Sequence, residues 1–156
     1  MIDLSIIIVS WNVAGLLSAC LDSILRSPLD GGGSSDGLQV EIIVVDSGSQ
    51  DGTVPMLRER YPQVKVLAQP DNVGFTRGNN LGLREAQGRY LFLLNPDTEV
   101  TGNALTTMVG YMDTNPDVGI VGPHTLNTDR STQSTRRRFP TLAVAFFEST
   151  WLQPYA

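Results

Sequence analysis

The sequence is short of basic residues, cysteine and histidine, and each shortage excludes a class of function. It carries 11 Lys and Arg against 16 Asp and Glu, a net charge of −5. We therefore expect no nucleic-acid partner, because binding nucleic acid requires a basic face. Cys20 is the only cysteine, which excludes an internal disulfide and favours a reducing compartment. His124 is the only histidine and has no second histidine with which to form a catalytic or metal pair.

Long apolar runs are also missing. No run approaches the ~20 residues that span a bilayer, and the apolar start "LSIIIVSW" is too short and lacks the basic beginning of a signal peptide. These features predict a cytoplasmic protein. A place at the inner face of the membrane stays open, because the arginine run 136–138 could contact lipid headgroups, contact a diphosphate or only be solvated.

What is present is an alternation of apolar strand-like runs with amphipathic segments. Such alternation predicts an α/β fold with a mostly parallel sheet and helices on both faces. The glycine- and serine-rich stretch 30–37 is predicted to be a surface loop. The predicted strands are 4–9, 39–46, 64–68, 90–94, 118–122 and a short one at 132–138, and the predicted helices are 13–25, 53–60, 74–87, 102–114 and 141–152.

Polar groups follow the first four predicted strands. Parallel sheets bind ligands beyond the carboxyl ends of their strands, so we interpret this edge as the site. Asp and Ser at such positions are also ordinary turn formers and helix caps, and a proline there can simply stop a strand. The four stretches are Ser10-Trp11-Asn12, Asp46-Ser47-Gly48-Ser49, Gln69-Pro70-Asp71-Asn72 and Asn95-Pro96-Asp97.

Residues 71–88 are unusual for a helix start. Gly74, Gly78 and Gly82 lie four apart, and each glycine costs roughly 1 kcal/mol against alanine inside a helix. Either the helix packs closely on the sheet or a ligand comes near its backbone. Arg77, Asn79 and Asn80 on the same stretch can donate hydrogen bonds to a base, ribose or phosphate.

Four stretches in this order resemble a known family. "SIIIVSWN", "EIIVVDSGSQDGT", "DNVGFTRGNNLG" and "YLFLLNPDTEV" together resemble the family-2 glycosyltransferases of the GT-A (nucleotide-diphospho-sugar transferase) fold, most closely the rhamnosyltransferase-like branch. The resemblance covers roughly residues 3 to 140. It implies a UDP- or dTDP-sugar donor, inversion at the sugar carbon, and a glycan or lipid-linked acceptor in cell-envelope polysaccharide biosynthesis.

The resemblance also implies roles for individual residues. Asp97 would hold Mg²⁺ or Mn²⁺ against the donor diphosphate, and Asp46 would hydrogen-bond the pyrimidine ring. Asn95 replaces the first acid of the family's Asp-x-Asp motif, so we expect weak affinity for free metal. The residues that would line the nucleotide-sugar site are Ser10, Asn12, Asp46, Asn72, Gly74, Arg77, Asn79 and Asn95.

The family's catalytic base has no counterpart here. Glu148 lies in an apolar stretch and is interpreted as an exposed helix residue. We therefore expect a nucleotide-sugar (donor) binding domain over 1–140, the start of a truncated C-terminal segment over 141–156, no acceptor-site part, and an unassigned catalytic residue. Self-association stays open. The alternatives are a non-catalytic nucleotide-sugar or assembly module and a nucleotidyltransferase, although "SWNVAG" lacks the basic residue that a nucleotidyltransferase would place after the first strand.

Overall fold

The protein is described by a computed structural model for residues 1–29 and 37–133. Most of the predicted loop 30–37, the remainder of the 132–138 strand, the 141–152 helix and Glu148 lie outside the described residues. The elements run in the order β1 Leu4–Ser10, α1 Ala14–Arg26, β2 Val40–Asp46, α2 Thr53–Arg60, β3 Lys65–Ala68, α3 Phe75–Glu85, β4 Tyr90–Leu94 and α4 Ala104–Thr114.

A four-stranded parallel sheet organises these elements. The strand order is β3-β2-β1-β4, so the chain begins in the middle of the sheet and adds strands on either side. Ser10 pairs in register with Asp46, and Ile8 pairs with Leu94. The last residues of the three neighbouring strands therefore come out at one edge. This confirms the predicted parallel α/β architecture.

One face of the sheet carries the main core. Alternate residues of β1 point to this face, where they pack on apolar side chains of α1, α2 and α4. The β-branched composition of β1 and β2 suits strands that are covered on both faces. The buried members are Leu4, Ile6, Ile8, Leu17, Cys20, Leu21, Ile24, Leu38, Ile42, Val44, Leu57, Tyr61, Val64, Leu105 and Val109.

Helix α3 covers the opposite face and lies very close to it. A Cβ added to Gly78 would lie 2.7 Å from Val9 Cγ1, and one added to Gly82 would collide with Ile7 Cγ2. Real Cβ atoms do not approach other atoms this closely. The glycine spacing therefore reflects helix-on-sheet packing at positions 78 and 82, which was one of the two predicted explanations.

The predicted strand at 118–122 is wrong. The segment has no regular secondary structure, and Ile120 is 92% exposed. In the described residues β4 pairs only with β1, and its outward side chains Leu91 and Leu93 are half exposed. An apolar run becomes a strand only where a neighbouring strand supplies hydrogen-bond partners, and no described strand pairs with "VGIVG".

The chain divides into two compact units, Met1–Gly122 and Pro123–Ala156. The first contains the sheet and all four helices named above. In the described part of the second, Leu126 and Thr132 form an antiparallel bridge around a tight turn. None of the helices in the described residues is long and apolar enough to cross a membrane. The predicted domain boundary at residue 140 stays a prediction.

Candidate functional site

The carboxyl edge of the sheet brings the two predicted acidic residues to one side of the molecule. Asp46 is the last residue of β2, and Asp97 follows the end of β4 by three residues. Only β1 separates these strands. With neighbouring strands about 4.8 Å apart, the two strand ends are roughly 10 Å from each other. A nucleotide diphosphate could therefore contact both carboxylates.

Asp46 is a buried carboxylate with one oxygen unused. The residue is 1% exposed, and its Oδ2 accepts a hydrogen bond from the Ser49 backbone N–H at 3.0 Å. Its Oδ1 has no partner in the described residues, and neither does the hydroxyl of its register neighbour Ser10. Buried polar atoms normally have a hydrogen-bond partner. Two buried oxygens without one, at the ends of adjacent strands, indicate a place for a hydrogen-bonding ligand. Both atoms are shielded from water, so ligand entry requires neighbouring side chains to shift.

Asn12 joins the loop after β1 to the loop after β2. Its backbone is left-handed, with φ of 52°. Its Oδ1 accepts from the Gln50 backbone N–H at 2.8 Å, and its own N–H donates to Ser49 Oγ at 2.9 Å. The amide oxygen of Asn12 is therefore occupied structurally. The preceding residue, Trp11, is more than half exposed. Trp11 was not among the predicted site residues, although an aromatic residue at the end of a strand could have indicated a role in ligand binding.

Asp51 caps the start of two helices. Its Oδ2 accepts from the Ala14 N–H at 2.9 Å, and its Oδ1 accepts from the Thr53 N–H at 3.1 Å. The hydroxyl of Thr53, followed by the Ala14 N–H, lowers the pKa of the Asp51 carboxyl. This acid in the "DSGSQDGT" stretch therefore orders the site loops and is not available as a ligand.

Ser47 ties the end of β2 to the approach of α3. Its hydroxyl donates to Asn72 Oδ1 at 3.0 Å and accepts from the Val73 N–H at 2.8 Å. Asn72 Oδ1 also accepts from the Gly74 N–H at 2.8 Å. Gly74 has φ of 74°, which suits glycine. Asn72 and Gly74, both predicted site residues, are thus held beside the β2 loop, and the Asn72 oxygen is engaged in that contact.

Gly48, in the loop after β2, lies against the backbone of Asp71 and Asn72. We expect Gly48→Ala to destabilise the fold. The residue has φ of +72°, and an added Cβ would lie 2.7 Å from the Asp71 carbonyl carbon. Left-handed strain together with a backbone clash should lower the free energy of unfolding by roughly 2–4 kcal/mol. Urea denaturation measures this loss. Gly15→Ala is the matched control, because no atom lies within 4 Å of its added Cβ. Equal midpoints for the two variants would contradict the expectation.

The outer side of α3 forms an open groove of about 520 Å³. Arg77 and Arg84 line it, with Asn80 and Phe75 between and before them. Neither arginine makes an ion pair within the described parts of the chain, so both guanidinium groups are available to bind an anion. Asn79, predicted to border the nucleotide, is instead buried, and its Nδ2 donates to the Phe75 carbonyl at 3.0 Å. Its role at the nucleotide stays a prediction.

The stretch after β4 is a tight turn. The Thr98 N–H and hydroxyl both donate to the Asn95 carbonyl, at 3.3 and 2.7 Å. Asp97 is exposed, and its carboxylate has no hydrogen bond or ion pair to any described residue. Burial raises the pKa of the Cys20 thiol to about 12, and the negative charge of Asp97 is the second cause. Asp97 thus lies near α1 with both oxygens free for a ligand.

The residues at this turn fit a metal only in part. Within residues 1–29 and 37–133, no group of three or more His, Cys, Asp or Glu side chains could hold a metal ion. Asp97 supplies an oxygen donor, the type that Mg²⁺ prefers, and Mg²⁺ typically takes one or two carboxylates and completes its shell with phosphate oxygens and water. The site therefore fits a metal held jointly with a phosphate ligand and does not fit one that captures free metal.

Comparison with known proteins identifies the family. The family described as glycosyl transferase family 2 matches residues 5–155. This chain belongs to glycosyl transferase family 2. The family predicted from the four stretches is therefore confirmed, whereas the rhamnosyltransferase-like branch stays a prediction.

One curated protein and two solved structures are similar to parts of this chain. The minor teichoic acid biosynthesis protein GgaB of Bacillus subtilis is 28% identical over 115 residues, which are 71% of this chain and 12% of GgaB. Residues 1–349 of S. aureus TarS, solved in complex with UDP, are 20% identical with a TM-score of 0.63, and the match covers 74% of this chain and 33% of that one. The mannosyltransferase PcManGT from Pyrobaculum calidifontis, solved with GDP-Man and Mn²⁺, is 26% identical with a TM-score of 0.59, covering 70% and 32%.

These likenesses confirm the GT-A fold for the parallel sheet and its helices. The match spans 12% of GgaB, about a third of the PcManGT chain and of TarS residues 1–349, and 20% of the longer solved TarS chain. What the complete relatives bind or transfer is therefore carried over to this chain only as a proposal.

Proposed function

We propose that this chain is the donor-binding part of an inverting glycosyltransferase. It would hold a UDP- or dTDP-sugar together with Mg²⁺ or Mn²⁺, and the sugar, rhamnose in the leading hypothesis, would pass to a cell-envelope glycan or lipid-linked acceptor. The observation that carries the proposal is one sheet edge with a buried, half-unpaired carboxylate at Asp46 and an exposed, unpaired one at Asp97. The UDP complex of TarS, the GDP-Man and Mn²⁺ complex of PcManGT, and the teichoic acid role of GgaB support it.

The base end of the donor would lie at β1 and β2. A pyrimidine with a ring N–H would donate to Asp46 Oδ1, satisfying the carboxylate oxygen that has no partner. The Ser10 hydroxyl, also unpaired, would take a second polar group of the base or ribose. The exposed ring of Trp11 offers a surface for base stacking, which is worth about 1–3 kcal/mol per base in proteins that bind single strands.

The diphosphate end would lie toward β4. Asp97 would ligate the metal ion, and Asn95 would line the adjacent diphosphate region. When bound, the metal neutralises charge that develops on the diphosphate as the sugar–oxygen bond breaks. Arg77, unpaired on the outer side of α3, is available for an anionic part of the donor.

Transfer itself would follow the usual inverting geometry. The acceptor oxygen attacks the sugar carbon from the face opposite the diphosphate, its proton passes to a carboxylate base, and the diphosphate leaves with the bonding electrons. No residue in the described ranges is assigned as that base. A nucleotide-sugar binding module without transfer activity is therefore the second candidate.

Calorimetry with nucleotides tests the donor site. We expect UDP or dTDP to bind at least about tenfold more tightly with Mn²⁺ than with EDTA, because Asp97 would hold a metal ion that offsets the negative charge of the diphosphate. GDP and ADP serve as base controls. Equal affinity with and without Mn²⁺, or no nucleotide binding at all, would reject the proposal. A transfer assay with dTDP-rhamnose and UDP-GlcNAc then separates an enzyme from a binding module and rhamnose from other sugars.

A further inference from the structure

Three side chains on or directly after α1 contact the loop that carries Asp97. The Ser23 hydroxyl accepts from the Val100 backbone N–H at 2.9 Å, and the Ser27 hydroxyl donates to the Gly102 carbonyl at 3.1 Å. The Cys20 thiol points at the Asn95 carbonyl, with Sγ and the oxygen 3.8 Å apart. The three side chains therefore contact both ends of residues 95–102, which we call the metal loop.

These contacts matter because the Asp97 side chain makes no hydrogen bond or ion pair with a described residue. Its position therefore depends on the backbone that carries it. The loop's own turn joins only Asn95 and Thr98. Beyond Thr98, the contacts of Val100 and Gly102 with α1 fix the path of the loop. Since displacing a functional group by about 1 Å can cost about 100-fold in rate, such fixing is functionally important.

We propose that Ser23 is a positioning residue for the metal site, acting through the metal loop with help from Cys20 and Ser27; this rests on the proposed function. Ser23 is buried, and its hydroxyl is satisfied in both directions: it donates to the Cys20 carbonyl at 2.6 Å while accepting from Val100. The hydroxyl can hold the Val100 N–H in one position only, because its own proton is committed to α1.

The experiment compares Ser23→Ala with Ser18→Ala. Both remove one hydroxyl from α1, but Ser18 faces α2, where its hydroxyl pairs with Tyr61 at 2.8 Å and Arg60 at 3.0 Å. The measured quantities are the UDP affinity with and without Mn²⁺, and amide hydrogen exchange at Val100. Ser23→Ala should reduce the Mn²⁺-dependent gain by about tenfold, leave the metal-free affinity unchanged and speed exchange at Val100. Ser18→Ala should do none of these.

The outcomes separate this inference from the proposed function. A wild-type protein without any Mn²⁺-dependent gain rejects the proposed function, and the metal role of Ser23 with it. A wild-type gain that Ser23→Ala leaves intact, or reduces no more than Ser18→Ala does, rejects the positioning role alone. If Ser23→Ala does not fold, Ser27→Ala replaces it, because that hydroxyl holds only the Gly102 carbonyl at the far end of the metal loop. An unchanged gain in that variant also rejects the inference.

Discussion

Asp97→Ala is expected to abolish the Mn²⁺-dependent gain in nucleotide affinity while leaving metal-free binding as it was. Asp97 is exposed, and its removal breaks no hydrogen bond or ion pair among the described residues. The metal would lose its protein carboxylate, and the full gain, about tenfold or more, should disappear. Titration of UDP with and without Mn²⁺ measures the effect.

Glu99→Ala is the control for that result. Glu99 is also exposed, lies two residues further along the same loop and carries the same charge. Its loss should leave the gain in place. If Glu99→Ala removes the gain and Asp97→Ala does not, the metal ligand has been assigned to the wrong residue.

Asp46→Ala is expected to weaken pyrimidine-nucleotide binding about 10- to 100-fold, whether or not metal is present. A hydrogen bond to a charged group contributes about 1.5–3 kcal/mol, which corresponds to this range of affinity. The effect is independent of metal because Asp46 belongs to the base end of the site and Asp97 to the other. Calorimetry with UDP and dTDP, each with Mn²⁺ and with EDTA, shows the difference.

Asp71→Ala provides the matched control for Asp46. Asp71 is an exposed acid near the same edge, so its replacement changes the net charge equally without removing a buried acceptor. An Asp46→Ala protein that folds normally and binds UDP as tightly as the Asp71→Ala protein would contradict the role given to Asp46. The orphaned Oδ1 would then need another explanation.

The strands that pair with one another in the described sheet, β1 to β4, were predicted from the sequence. β4 was placed at 90–94 and is found at Tyr90–Leu94, because its apolar run ends sharply at Asn95-Pro96. The run at 118–122 is also apolar but contains two glycines, and it is not a strand. Composition records the preference of a segment for extended backbone, whereas a strand also needs a neighbour, which a single segment does not reveal.

The candidate site was predictable in outline and not in its details. The order of strands brings Asp46 and Asp97 to one edge, as the parallel pattern required. Which oxygen of Asp46 stays unpaired depends on the Ser49 N–H, which only the folded loop shows. Likewise Asn79 and Asn80 are adjacent in sequence, yet the helix buries the first and exposes the second.

The contacts of Ser23 and Ser27 could not be predicted from the pattern of apolar residues either. The predicted helix 13–25 is found as α1, and its apolar residues divide: Leu17, Cys20, Leu21 and Ile24 are buried, whereas Leu16 and Leu25 are about half exposed. Ser23 on the helix and Ser27 directly after it are polar residues to which that pattern assigns no contact. Their hydroxyls reach backbone groups some 75 residues away along the chain, a distance over which periodicity carries no information.

The close seating of α3 on the sheet limits how this protein can diversify. A Cβ at Gly78 or Gly82 would collide with Val9 or Ile7, so the inner face of the helix does not accept larger side chains without a shift of its neighbours. Variation in what the outer groove recognises is therefore expected to come from exchanging side chains that line it, such as Arg77 and Arg84. In natural variants and in engineered libraries, substitutions of the residues that line the outer groove should be tolerated, whereas larger side chains at Gly78 and Gly82 should not.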